Sequence, residues 1–163
     1  MSSFDRRSFL ILPLAIAACG FQPVYAPGGT GSALYGSVAV SAPNDVESYL
    51  LVQNLEQRLG RSASSGGDFE LKVDVYTATR RAAITTSNET NRYTIDGRAK
   101  FSLRNSETGE VMASGQVTEF VGYSASGSTV DTLADERDAR ERLMAILADQ
   151  IVAQLYATAD VSS

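Results

Sequence analysis

The sequence predicts an α+β domain of order β-α-β-β-β-α, with two helices packed on one face of a mostly antiparallel four-stranded sheet. Three observations carry this: a helical apolar stripe over residues 46–59, three successive alternating segments over 69–123, and a second helical stripe ending near Tyr156. Two amphipathic helices can hide their stripes only on the one apolar face of such a sheet.

The N-terminus stands outside that fold and reads as a processing segment. Asp5-Arg6-Arg7 leads into an apolar run over residues 9–18, broken only by Pro13 and ending at Cys19. The run is shorter than the roughly 20 residues a permanent membrane helix needs. Ala17 and Ala18 are the small residues at which a signal peptidase cuts, so residues 1–18 are expected to be a cleaved signal peptide. Ile16-Ala17-Ala18-Cys19 resembles the lipobox of bacterial lipoproteins, whose cysteine receives a diacylglycerol before cleavage. The plain alternative is a buried structural cysteine, against which the charges, the apolar run and the Ala-Ala pair all count. Lipobox processing puts two or three acyl chains on one residue, enough for stable anchoring where one chain holds only marginally. Arg6-Arg7 resembles a twin-arginine export signal and equally suits an ordinary positive leader, so both export routes stand.

Residues 19–32 are rich in Gly and Pro and are expected to form an extended, lipidated tether, followed by a single domain over 33–157 and a disordered tail over 158–163. Residues 33–42, with Leu34, Val38 and Val40, read as a first strand stopped by Pro43. Asn44 or Asp45 can cap the helix over 46–59, whose stripe is Val46, Leu50, Leu51, Leu55 and Leu59 and whose end is marked by Gly60. The strands that follow alternate through Phe69, Leu71, Val73 and Val75, then Tyr93, Ile95, Ala99, Phe101 and Leu103, then Val111, Ala113, Val117, Val121 and Tyr123. Turn residues over 105–109 and the polar stretch 82–91 make these three a meander. Phe120 falls out of the alternation, which predicts a bulge near Glu119. A last helix is expected over 130–156, with Leu143, Ile146, Leu147, Ile151 and Leu155 as its stripe and a densely charged first half.

Composition excludes much chemistry. The chain of 163 residues has no histidine and one cysteine, so neither a Ser-His-Asp nor a Cys-His set can be built, nor a Cys/His zinc site. Loss of Asp5, Arg6 and Arg7 with the leader leaves 12 basic and 18 acidic residues, a balance that disfavours nucleic acid as a partner. Gly28-Gly29 and Gly66-Gly67 do not join a strand to a helix and so form no phosphate loop. Asp131, Asp135, Glu136, Asp138 and Glu141 interleave with Arg137, Arg140 and Arg142, which suits an ion-paired helix face better than a metal site. An enzyme would have to rely on Asp131 or Glu119 as a lone carboxylate without a partner, so no catalysis, metal or cofactor is expected.

Cations gather instead on the exposed parity of the meander: Lys72, Arg80, Arg92, Arg98, Lys100 and Arg104, with Arg81 beside the loop. Anionic head groups or phosphates suit such a set. The bland reading is a wet sheet face whose cations pair with Glu70, Asp74 and Asp96. The loop between the first two strands of the meander, with Ile84, Thr85, Thr86 and Asn88, is long for a hairpin and is a candidate contact loop for a partner.

Taken together, Cys19-Gly20-Phe21-Gln22-Pro23-Val24-Tyr25 after a lipobox, Asn91-Arg92-Tyr93-Thr94-Ile95 entering a strand, and Glu136-Arg137-Asp138-Ala139-Arg140-Glu141-Arg142-Leu143 with Leu147-Ala148-Asp149-Gln150-Ile151 in the last helix resemble the LPS-assembly lipoprotein family LptE over nearly the whole mature chain. The resemblance implies an outer-membrane lipoprotein on the periplasmic side that catalyses nothing. It implies a plug inside the LptD β-barrel that helps lipopolysaccharide reach the outer leaflet. It also implies lipopolysaccharide contacts through basic side chains, for which Arg80, Arg81, Arg92, Arg98 and Lys100 are candidates by type and region. Gly20 after the cysteine, in place of aspartate, fits transfer to the outer membrane under the sorting pattern of some bacteria. A competing binding module is a lipoprotein accessory of the machinery that inserts outer-membrane barrels, which would share the fold class.

Overall fold

A computed structural model describes residues 29–60, 67–84, 90–125 and 128–159. Among them the elements run α1 (Thr30–Leu34), β1 (Val38–Val40), α2 (Val46–Leu59), β2 (Phe69–Ile84), β3 (Thr90–Asn105), β4 (Val111–Ser124) and α3 (Thr129–Thr158), and the sheet order is β1-β2-β3-β4. The α+β class and the order of strands and long helices are those the sequence predicts.

Thr30–Leu34 departs from the prediction, since an extended segment was expected as far as residue 32. Five residues cannot sustain a helix alone. This one is held by tertiary contacts: Leu34 is wholly buried, and the Gly36 N–H donates to the Leu59 carbonyl at 2.7 Å from a left-handed φ of 80°. The first strand shrinks accordingly to Val38–Val40, pairing parallel with β2 as Val38↔Phe69 and Val40↔Leu71. A parallel pair requires a crossover, and α2 supplies it.

Asp45 is the cap of α2. Its side chain accepts from the Ser48 N–H at 2.7 Å while the Ser48 hydroxyl accepts from the Asp45 N–H at 2.9 Å, so two otherwise orphaned donors are satisfied reciprocally. Leu51, Leu55 and Leu59 carry the buried face with Val52, whereas Val46, read as part of the stripe, is 75% exposed in the first turn.

The meander is as expected in topology. β2 and β3 pair antiparallel from Phe69↔Asn105 to Arg81↔Tyr93, and β3 and β4 from Arg92↔Ser124 to Leu103↔Ala113. The bulge predicted near Glu119 is absent: Gly97↔Glu119, Asp96↔Phe120 and Ile95↔Val121 follow without a break. Phe120 keeps strict alternation and simply faces outward, 67% exposed. The irregularities lie beside the turns, at Leu103/Arg104 and between Arg81 and Ile84.

α3 folds back over the sheet from a second capping box, in which Ser128 accepts from the Asp131 N–H and Asp131 from the Ser128 N–H. Its buried residues begin only at Ala139 and continue through Leu143, Met144, Leu147, Ala148, Ile151, Val152 and Leu155. Ile146, expected in the stripe, is 37% exposed because it lies on the flank of the helix. Gly97 and Gly115 let the helix come close: a Cβ on Gly97 would sit 3.0 Å from Leu143 and Leu147, and one on Gly115 2.9 Å from Gln154 Oε1. Among the described residues no helix is long and apolar enough to cross a membrane. Both long helices lie on one side, and among the described residues the opposite face of the sheet is exposed.

Candidate anion-binding sheet face

Register fixes which side chains share the open face. Across β2, β3 and β4 the rows are Asp74–Lys100–Gln116, Tyr76–Arg98–Thr118, Ala78–Asp96–Phe120 and Arg80–Thr94–Gly122, flanked by Lys72 opposite Ser102 and Glu70 opposite Arg104. Lys72, Arg80, Arg92, Arg98, Lys100 and Arg104 are all exposed there, against the carboxylates of Glu70, Asp74 and Asp96. An acidic protein therefore presents a face with an excess of positive charge, while the densest run of its acids lies on α3.

The cations are not equivalent. Arg80 is engaged by the Asp96 carboxylate one row away, and that hydrogen-bonded guanidinium holds Asp96 below the usual carboxylate range. Among the described residues no carboxylate lies within ion-pair distance of Arg98 or Lys100, even though Asp74 is the direct cross-strand neighbour of Lys100. Arg98 lies between two exposed aromatics, Tyr76 at 69% and Phe120 at 67% exposure, in a shallow concavity of about 600 Å³ that Ala78, Arg80 and Asp96 complete. A guanidinium flanked by aromatic surface can take an anionic group together with the apolar or saccharide framework attached to it. Sequence reasoning counts the cations, reads Phe120 as the sign of a bulge and passes over Tyr76; the even numbering of both aromatics, in phase with Arg80 and Arg98 across the register, is the available signal.

Arg81 parts from the group. It pairs with Tyr93, whose ring stacks on Tyr123 at 5.3 Å on the helix side, so Arg81 takes the opposite parity from Arg80. Burial pushes the Tyr123 phenol up, with the nearby Glu136 carboxylate adding to the shift. Ile84 forms a backbone pair with Thr90 at the far end of β2, while Cys19, Thr85, Thr86 and Asn88 lie outside the described residues.

Four of the five acids in the α3 run, all but the exposed Asp135, are engaged in structure. Arg137 pairs with Glu141 and Arg142 with Asp138 at i,i+4 spacing, Arg140 holds Glu136 and Glu47, and Asp131 serves the cap. Glu119 accepts from Gln150 Nε2 at 2.5 Å.

Two long helices on one face of a four-stranded sheet, with an exposed cationic face on the other, define a small two-layer α+β domain. The chain belongs to the lipopolysaccharide-assembly family LptE, whose profile matches residues 35–155. Its role thus lies in lipopolysaccharide assembly. Among solved structures it resembles a putative lipoprotein from Caulobacter crescentus, at 22% identity and a TM-score of 0.65 over 78% of this chain and 93% of the other. It also resembles the rare lipoprotein B from Shewanella oneidensis, at 11% identity and 0.57 over 75% and 93%. A minor lipoprotein from Acinetobacter baumannii matches at 19% identity and 0.54 over 76% and 92%. At these identities the likeness concerns the fold. No curated protein is significantly similar to the chain in sequence.

Proposed function

We propose that this protein is an outer-membrane lipoprotein, acylated at Cys19 and facing the periplasm, that seats inside the LptD β-barrel and assists lipopolysaccharide across to the outer leaflet. It works by binding and not by catalysis. The observation that carries this reading beyond family membership is the open sheet face, where Arg98 and Lys100 stand without ion-pair partners among the described residues beside Tyr76 and Phe120. Lipopolysaccharide offers phosphates for the cations and sugar rings for the aromatic surface. The barrel contact is assigned to the segment from Ile84 through Thr85, Thr86 and Asn88, and the anion contact to Arg98 and Lys100 first, with Arg92, Arg80 and Arg81 around them.

The test is a mild-detergent pull-down of the acylated chain from membranes, with mass spectrometry of the retained partners and of the Cys19 N-terminus. One-to-one recovery of the lipopolysaccharide-translocon barrel, with bound lipopolysaccharide reduced in an Arg98→Glu/Lys100→Glu variant, is the expected result. Recovery of the protein alone, or with the barrel-insertion machinery, defeats the plug assignment.

A further inference from the structure

The sheet ends differently on its two sides. One edge is β1, three residues long, and short edges resist pairing. The other is β4, 14 residues long and, among the described residues, paired with β3 alone. Long edge strands present a row of unsatisfied N–H and C=O groups to any passing strand, and proteins usually guard them with Lys, Pro or bulges. β4 contains no Lys, Arg or Pro, and its register is unbroken from Ala113 to Ser124. Its one charge, Glu119, has helix-side parity, where Gln150 meets it.

The helix beside this edge is unguarded in the same way. Gln150 reaches Glu119 and Gln154 lies against Gly115, so that flank of α3 runs along β4. Ile146, Gln150, Ala153 and Ala157 follow along it at i, i+4, i+7 and i+11, uncharged and at the spacing with which helices pair. The charged residues of α3 concentrate in its first half.

We propose that β4 pairs antiparallel with β4 of a second copy of this chain about a two-fold axis at Thr118, giving one continuous eight-stranded sheet. The sequence of β4 is complementary to itself in that register. Glu119 falls opposite Val117, Phe120 opposite Gln116 and Ser114 opposite Gly122, so no like charges face each other directly; the two Glu119 carboxylates stand on the diagonal, about 7–8 Å apart on the helix side, each accepting a hydrogen bond from its own Gln150. The nearest cation row is Arg98, which pairs with Thr118 from β3, and the two Arg98 residues would stand three strand spacings apart, about 14 Å, beyond a Debye length of about 8 Å. The same axis serves the helix layer. Thr118 lies beside the Glu119–Gln150 contact, near the middle of the flank stripe, so the axis sets Gln150 against Ala153 and Ile146 against Ala157 of the second copy. The two alanines allow the close helix approach that adjacent edge strands impose. That one axis satisfies both layers is the reason the occupant is a copy of this chain and not an unrelated strand. The proposal is independent of lipopolysaccharide binding and describes the protein when it is not engaged by another partner.

Thr118 is exposed, so it can be changed without disturbing the core. Light scattering on the full mature chain in mild detergent should give twice the chain mass. Thr118→Lys, which sets two ammonium groups across the axis, should weaken association at least ten-fold with an unchanged circular-dichroism spectrum. In the purified full mature chain in mild detergent, Thr118→Cys should yield a disulfide-linked pair on oxidation, because residues facing each other across an antiparallel pair lie about 4.5–5.5 Å apart, within disulfide reach. Thr94→Cys, on the interior strand β3, should not, and the parent chain with Cys19 alone supplies the background. A single-chain mass at all concentrations, association unaffected by Thr118→Lys, or equal cross-linking at Thr94 overturns the proposal.

Discussion

Arg140 of α3 donates to Glu47 Oε1 in the first turn of α2, and the same carboxylate oxygen accepts from the Thr77 hydroxyl of β2 at 2.8 Å. One half-buried acid thus ties both long helices to the sheet, with Arg140 further held by Glu136 at 2.7 Å. Glu136 first and Glu47 with it raise the Arg140 pKa, so its charge persists at any ordinary pH.

Glu47→Ala is therefore expected to destabilise the fold by about 1–2 kcal/mol, since it leaves both Arg140 and Thr77 without that acceptor. Glu141→Ala, which removes only the exposed i,i+4 pair with Arg137, should cost no more than about 0.5 kcal/mol. Urea midpoints of the two variants against the parent chain check the difference; equal effects would show that the junction is not held there.

The tightest backbone approach predicts a second ranking. A Cβ at Gly67 would lie 2.4 Å from the Ser37 carbonyl oxygen, whereas at Gly97 the nearest atoms are the Leu143 and Leu147 methyl carbons at 3.0 Å. Backbone on the β1 side cannot yield as leucine methyls can, so Gly67→Ala should cost about 3 kcal/mol and Gly97→Ala about 1 kcal/mol. Thermal melting orders them directly.

What was legible in the sequence divides along the same line between local and tertiary causes. The second helix was readable from end to end, because Asp45, Ser48 and Gly60 encode its cap and stop locally and Leu51, Leu55 and Leu59 its buried face. The short helix at Thr30–Leu34 was not, since only the burial of Leu34 and the bond from Gly36 to Leu59 hold it, and these depend on the finished core. Phe120 suggests a bulge only if apolar character is equated with burial; on a sheet with an open face it keeps alternation and stands exposed beside Arg98. The cations of that face were legible by parity. Arg81 alone changes sides, one residue past Arg80 and next to the register shift.

From neutrality downward, stability should fall only once the capping and paired carboxylates begin to protonate. Hydrogen bonds from Ser48 lower the pKa of Asp45, bonds from Ser128 lower that of Asp131, and the Arg58 guanidinium lowers that of Asp149. Each folded pKa lies below the unfolded value, so each contribution is complete above about pH 4–5 and is lost as pH falls through the folded pKa. Unfolding midpoints should be level from neutrality to about pH 5 and decline below about pH 4. Asp149→Asn should flatten part of that decline, and an undiminished acid slope would remove Asp149 from its cause.

The unequal pairing of the sheet-face cations predicts unequal roles in anion binding. Arg80 must leave Asp96 before it can meet a phosphate, which offsets much of what the new contact contributes, whereas Arg98 and Lys100 have no such carboxylate to give up among the described residues. Arg98→Ala and Lys100→Ala should each weaken lipopolysaccharide binding by roughly ten-fold, about 1.4 kcal/mol, and Arg80→Ala by markedly less. Asp96→Asn should strengthen it, because it frees Arg80 and removes an opposing charge from the floor of the concavity. Phe120→Ala should weaken binding without altering its salt dependence, since an aromatic contact carries no charge, while the arginine and lysine variants should reduce that dependence. Titration of each variant with lipopolysaccharide at two salt concentrations separates these effects, and equal losses at Arg80 and Arg98 would place the anion elsewhere on the protein.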